Sequence, residues 1–170
     1  MSKTVLLSIK PKYCEFIANG KKTIEVRKTK PELELPFKCY IYCTKSNDGL
    51  IKGDISTTVD YVAKNSGKVI GEFVCDAYII DRTFGHDELF NAAACLDIAE
   101  VASYMTNEKM YGWHISDLII YDTPKELGEF KKINRECWYA DFGLAKRDCP
   151  DCKNADCFVS QPPMSWCYVS

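Results

Sequence analysis

The chain has 170 residues, 46% of them hydrophobic and 27% charged, with a formal charge of −2. That length suits one domain, and that apolar content excludes a globally disordered chain. No run reaches the roughly 18 apolar residues of a membrane-spanning helix, and Val5–Leu7 is too short for a signal peptide's apolar core, so a cytoplasmic protein with no membrane partner is expected.

In chain order, residues 4–9 alternate as a strand. Pro11 suits a first helical turn. Tyr13, Phe16 and Ile17 recur at helical spacing and Gly20 supplies a stop, predicting a helix over Pro11–Asn19. Thr23–Lys28 and Lys38–Thr44 read as strands. In the second, Cys39, Ile41 and Cys43 share one face and Tyr40 and Tyr42 the other. Residues 45–68 form a long polar excursion. Val69–Ile80 reads as one long strand, residues 87–105 as one or two helices, and Tyr111–Tyr121 as a strand. Thr123-Pro124 opens a short helix ending near Phe130. Residues 131–163 are polar and Cys-rich, and Ser165–Val169 is a final strand. Strand and helix do not alternate regularly, so the expected class is α+β, a small mixed β-barrel or open sheet, not a doubly wound one.

Charge is uneven. Residues 1–31 carry eight Lys/Arg and two Glu, against 14 and 22 in the remainder. A basic segment on an acidic body steers an anionic ligand or is simply solvated. Within it, Gly20-Lys21-Lys22-Thr23-Ile24-Glu25-Val26-Arg27 follows the predicted helix. As a strand it puts Thr23, Glu25 and Arg27 on one face and Ile24 and Val26 on the core face. One reading is a half-buried strand with a charged, solvated face. The other is a cleft lined by Thr23, Glu25 and Arg27, with Lys22 at the turn.

Gly20, Lys22, Glu25 and Arg27 fit G-x-K-x-x-E-x-R, which resembles the signature of the ASCH (activating signal cointegrator homology) family. Leu6–Pro11, the helix before Gly20, and Gly67–Glu72 are also similar to that family. Pro162–Tyr168 resembles the tail of a bacterial and prophage-encoded subgroup. The resemblance implies a PUA-like fold, a small β-barrel with short helices. With it goes an ASCH/PUA-like domain over residues 1–130 and a Cys-rich C-terminal extension, 131–170, whose last strand packs back on the barrel. It further implies a non-catalytic module for RNA or a modified nucleotide. Lys22 and Arg27 would meet phosphate or carbonyl oxygens. Glu25 would accept from a base amine or ribose hydroxyl. Tyr40, Tyr42, Tyr111, Trp113 and Trp166 are candidate stacking platforms, with His114 beside Trp113.

Some relatives are amidohydrolases that deacylate N4-acetylcytidine with a lysine, a threonine and a later glutamate. Lys22 matches the lysine, but Glu25 stands where the threonine would be, and Glu72 is only a guess for the glutamate. An amidohydrolase, or a ribonuclease with Lys22 and Glu25 as acid and base, is the catalytic alternative. A regulatory domain that binds a protein partner is a third.

His86 and His114 do not share a metal-binding spacing, and phosphate-loop, dinucleotide and serine-hydrolase motifs are absent, so no nucleotide cofactor is expected. Of ten cysteines, Cys149, Cys152, Cys157 and Cys167 crowd the end. The C-x2-C-x4-C spacing suits a structural zinc, with Cys137 as an alternative fourth ligand. Free thiols or a disulfide are the other readings.

Overall fold

The computed structural model describes residues 3–45, 57–81, 87–97, 99–101, 110–133 and 157–170. The strands are β1 (Thr4–Ile9), β2 (Ile24–Arg27), β3 (Phe37–Cys43), β4 (Val69–Cys75), β5 (Tyr78–Asp81), β6 (Met110–His114), β7 (Ser116–Lys125) and β8 (Trp166–Val169). Among the described residues the helices α1 (Pro11–Ala18), α2 (Thr57–Lys64) and α3 (Glu88–Ala94) accompany them. A five-stranded sheet runs β7-β4-β3-β1-β8, and a three-stranded one runs β2-β6-β5. Among the described strands only β1 and β3 pair in parallel, with Val5 opposite Cys39 and Ile9 opposite Cys43. The other named pairs are antiparallel. The class is α+β as expected, but the described strands form two sheets, not one closed barrel.

The main core lies between the sheets. It joins Val5, Leu7 and Ile9 of β1, Cys39, Ile41 and Cys43 of β3, Cys14 and Ile17 of α1, and Trp113 of β6. The far face of the large sheet buries Leu6, Tyr42 and Val69 with Phe130, Val159 and Val169. The period-2 pattern in β3 thus sorts its side chains between two cores as the sequence predicts. The outer face of the small sheet buries Ile24, Val26 and Met110 under Phe90 and Ala94 of α3. Gly112 makes that approach possible, because a Cβ there would come within 2.8 Å of Phe90.

Four expectations change. Val69–Ile80 is two strands, β4 in the large sheet and β5 in the small one. Tyr111–Tyr121 divides in the same way into β6 and β7. Each chain segment crosses between sheets at a corner, where the His114 amide donates to Ala77 O (3.0 Å) and the Ile115 amide to Thr23 O (2.9 Å). Thr123 and Pro124 continue β7 and do not start a helix. β7 is an edge strand, where a missing amide is tolerated, and a 3-10 turn at Leu127–Glu129 follows. Finally, the 45–68 excursion contains α2, whose Val62 is fully buried in the main core.

β8 pairs with β1 from Leu7/Trp166 to Thr4/Val169, and Ser8 Oγ donates to Pro163 O at 2.7 Å. Among the described residues no helix is long and apolar enough to cross a membrane.

Candidate functional site

α1 delivers the chain to the site. Gly20 takes a φ of +75°, a left-handed conformation that glycine adopts without a Cβ penalty. The Lys22 amide then returns to Phe16 O (2.9 Å) and the Thr23 amide to Ala93 O (2.9 Å). These bonds set the phase of β2, so that Ile24 and Val26 face α3 while Glu25 and Arg27 face the large sheet.

Lys22, Glu25 and Arg27 are buried, at 3%, 5% and 8% exposure. Arg27 Nη2 lies 3.0 Å from Glu25 Oε1 and donates to Ser8 O at 2.8 Å. Lys22 Nζ donates to Ala94 O at 2.6 Å and lies 3.4 Å from Glu25 Oε2. One carboxylate therefore ties two cations, and each cation is tied to backbone of another element, β1 or α3. Such a network is costly to desolvate and holds only while its members are paired. Glu25 Oε2 and Arg27 Nε are buried with no hydrogen-bond partner among the described residues. Oε2 is thus met by the Lys22 ammonium at 3.4 Å and by no hydrogen bond.

The sequence missed Tyr13. Its ring lies 5.0 Å from Lys22 Nζ, and its hydroxyl donates to Glu100 Oε1 at 2.9 Å, where Lys12 Nζ also binds at 2.6 Å. Burial and the Glu100 carboxylate push the Tyr13 hydroxyl well above its ordinary range. Helical spacing marked Tyr13 only as part of the inner face of α1. Its role as the cover of Lys22 depends on a contact between separate elements.

The other expected site residues separate into groups. Thr23 is exposed, because it lies before β2 begins, at the margin of the small sheet, and does not join Glu25 and Arg27 in depth. Tyr40 and Tyr42 face the opposite side of the large sheet, where Tyr40 packs edge-on against Phe130 at 4.7 Å. Glu72, opposite Tyr40 in register, shares that far side and binds Lys38 (2.7 Å) and the Tyr121 hydroxyl. It is therefore not a partner for Lys22. His114 sits opposite Ile24 in register, on the α3 side of the small sheet, and binds Asp76 Oδ1 at 2.6 Å.

Trp113 is opposite Glu25 and Tyr111 is opposite Arg27, so both share the trio's face. Trp113 is the hub of an aromatic cluster, 6.2 Å from Trp166 and 6.1 Å from Tyr78. Tyr168 extends it, 5.4 Å from Trp166, and Tyr111 lies 6.5 Å from Tyr78. Tyr78 and Tyr168 were not singled out in the sequence. Their signal is alternation, since Tyr78 is in register with Trp113 and Tyr168 is two residues from Trp166.

Cys137, Cys149 and Cys152 lie outside the described residues, as does His86. Cys157 and Cys167 are half-buried. Residues 131–133 run between them, with Lys131 bridged to Phe158 and Lys132 to Val169. Cys167 packs on the apolar far face of the large sheet, and burial pushes its thiol up. Among the described residues no group of three or more metal-ligating side chains forms.

Two sheets share a core, and α1 leads through Lys22 into the short strand that carries Glu25 and Arg27. The crystal structure of ASCH from Zymomonas mobilis superposes with a TM-score of 0.60 at 18% identity, covering 98% of this chain and 87% of that one. Crystal structures of a tyrosine-to-phenylalanine and a serine-to-alanine mutant of the same protein give TM-scores of 0.60 and 0.61, also at 18% identity. The first covers 99% of this chain and 91% of its own, the second 98% and 88%. The chain thus has the ASCH fold. No protein-family model and no curated protein matches it.

Proposed function

We propose that this protein is a non-catalytic module that binds RNA or a modified nucleotide. The buried Lys22–Glu25–Arg27 group reads the polar edge of a base, and the exposed lysines around it, Lys21, Lys28 and Lys30, meet phosphate. The carrying observation is Glu25 Oε2, a buried acceptor that makes no hydrogen bond and meets only the Lys22 ammonium, at 3.4 Å, while its sister oxygen is held by Arg27. A base amine supplies such a donor, whereas a phosphate would not bind a carboxylate. The partly exposed rings around Trp113, those of Tyr111, Trp166 and Tyr168, support the reading, because unpaired bases stack on such rings.

This assigns Lys22 and Arg27 a different task from the phosphate contact expected on the sequence, since their charges are already engaged by Glu25 and by backbone carbonyls. It also favours binding over hydrolysis. Glu25 occupies the position where an amidohydrolase has its threonine, and Thr23, the hydroxyl of this segment, lies exposed outside the trio.

Fluorescence anisotropy with a labelled single-stranded RNA tests the proposal. Binding should weaken with salt, with a log–log slope of about −0.7 per phosphate contacted. Alanine at Lys21, Lys28 or Lys30 should flatten that slope. Glu25→Gln should weaken binding roughly tenfold or more, the loss of a hydrogen bond to a charged group. No binding at low salt, or binding indifferent to all four substitutions, overturns the reading.

A further inference from the structure

We propose that a groove along β8 is a second nucleotide subsite, so that the ligand is a single-stranded RNA of at least two nucleotides and not a free nucleotide. The inference rests on the reading of Glu25 as the contact to a base amine, and it gives that base a neighbour. The groove has a volume of about 470 Å3, within the roughly 300–1,000 Å3 of small-ligand sites. Its lining is mixed. Trp166 and Tyr168 supply rings, Ile133 and Pro163 apolar wall, Gln161 an amide and Lys132 a cation.

Bonds from several elements fix these walls. The Lys132 amide donates to Cys157 O (2.9 Å) and the Ile133 amide to Tyr168 O (3.3 Å). Pro163 O accepts the Ser8 hydroxyl at 2.7 Å. Trp166 Nε1 donates to Thr29 Oγ1 at 3.2 Å, and the Tyr168 hydroxyl accepts the Glu32 amide at 2.8 Å. A groove held in this way is formed before a ligand arrives, which lowers the ordering cost of binding.

Trp166 connects the groove to the trio. Its ring is 6.2 Å from Trp113, the register partner of Glu25, and its indole bond reaches Thr29, two residues beyond Arg27. Tyr168 continues the line, 5.4 Å from Trp166, with Lys3 Nζ 5.4 Å from the centre of its ring. The path away from the trio therefore runs over partly exposed rings toward lysines. Lys22 and Arg27 are engaged by Glu25, whereas Lys132 forms no salt bridge with a carboxylate among the described residues. Inorganic phosphate would leave the rings unused, and an apolar peptide would leave Lys132 without a counter-charge. A nucleotide uses both, with its base on a ring and its phosphate at the lysine.

The test is competition against the labelled single-stranded RNA by unlabelled 5′-phosphorylated mono- and dinucleotides of adenine and of cytosine, whose amines suit Glu25. The dinucleotide should compete about tenfold better than the mononucleotide, the gain from stacking one further base. Lys132→Ala and Gln161→Ala should each remove much of that gain and leave the mononucleotide unchanged, while Glu25→Gln should weaken both. A dinucleotide no better than the mononucleotide, or a gain that survives both groove substitutions, overturns the second subsite and leaves the role of the trio standing. If the labelled RNA does not bind, or if neither competitor responds to Glu25→Gln, the reading of the trio fails and the subsite fails with it.

Discussion

Glu25 holds two buried cations at once, and its removal strands both. Glu25→Ala should cost about 3–5 kcal/mol, the range for breaking a buried ion pair from one side, and urea unfolding measures it. A loss under about 1 kcal/mol would mean that Lys22 and Arg27 find water or other partners when Glu25 goes. At Gly20 the issue is backbone, not charge. Its φ of +75° and the open space at its Cα mean that Gly20→Ala meets no clash but should cost about 1 kcal/mol in conformational strain. The trio was legible in the sequence because charge at period 2 beside Gly20 is a local pattern. Its depth was not. Alternation says which residues share a face, and here both faces of β2 are covered, so a strand that looked half solvated is buried throughout.

Among the elements, β3, β4 and β7 are tied on their far side by Glu72, which meets Lys38 and the Tyr121 hydroxyl. Burial raises the Glu72 carboxyl, but the Lys38 and Tyr121 bonds outweigh it and hold the group below its usual range. The folded pKa is thus lower than the unfolded one. The stabilisation is present above the ordinary glutamate value of about 4.3 and is lost as pH falls through the folded value. Thermal unfolding from pH 6 to pH 3 should show a steeper loss in the wild type than in Glu72→Gln, and parallel profiles would dismiss the contribution. The extent of β1, α1 and β3 follows from their own residues to within a position or two. The corners at Asp76-Ala77 and Ile115 do not, because apolar periodicity runs through them and only pairing with a second sheet breaks the strand. α2 was hidden for a similar reason. Thr57, Thr58, Val59 and Val62 are β-branched and poor helix formers, and the helix is held by Val62 and by the Tyr61 hydroxyl reaching Tyr121 O and Ile70 O.

At the scale of the whole molecule, two outcomes separate the readings of its chemistry. Purified protein should not release acetate from N4-acetylcytidine, because a carboxylate at position 25 is no substitute for an attacking hydroxyl. Turnover abolished by Lys22→Ala would reverse that view. For the cysteine-rich segment, we propose a structural zinc on Cys149, Cys152 and Cys157. Cys167 or Cys137 would complete the site. Elemental analysis should find about one zinc per chain, and a chelator should loosen this segment while the two sheets persist, since their cores form without it. A metal-free protein with readily alkylated thiols at these positions excludes the site.

The pairing of β1 with β8 has a kinetic consequence. Ser8 and Pro163, which share a hydrogen bond, are 155 positions apart. Contacts of that span raise contact order and slow folding. While the polypeptide is synthesised, β1 can pair with β3 but keeps its other edge open until residues 166–169 leave the ribosome. An apolar strand with an unsatisfied edge invites pairing with other chains. A nascent chain halted before Trp166 should therefore aggregate, or be held by chaperones, where one that includes residues 166–169 folds. Comparing soluble yields of chains ending at residue 164 and at residue 170 would reveal this dependence.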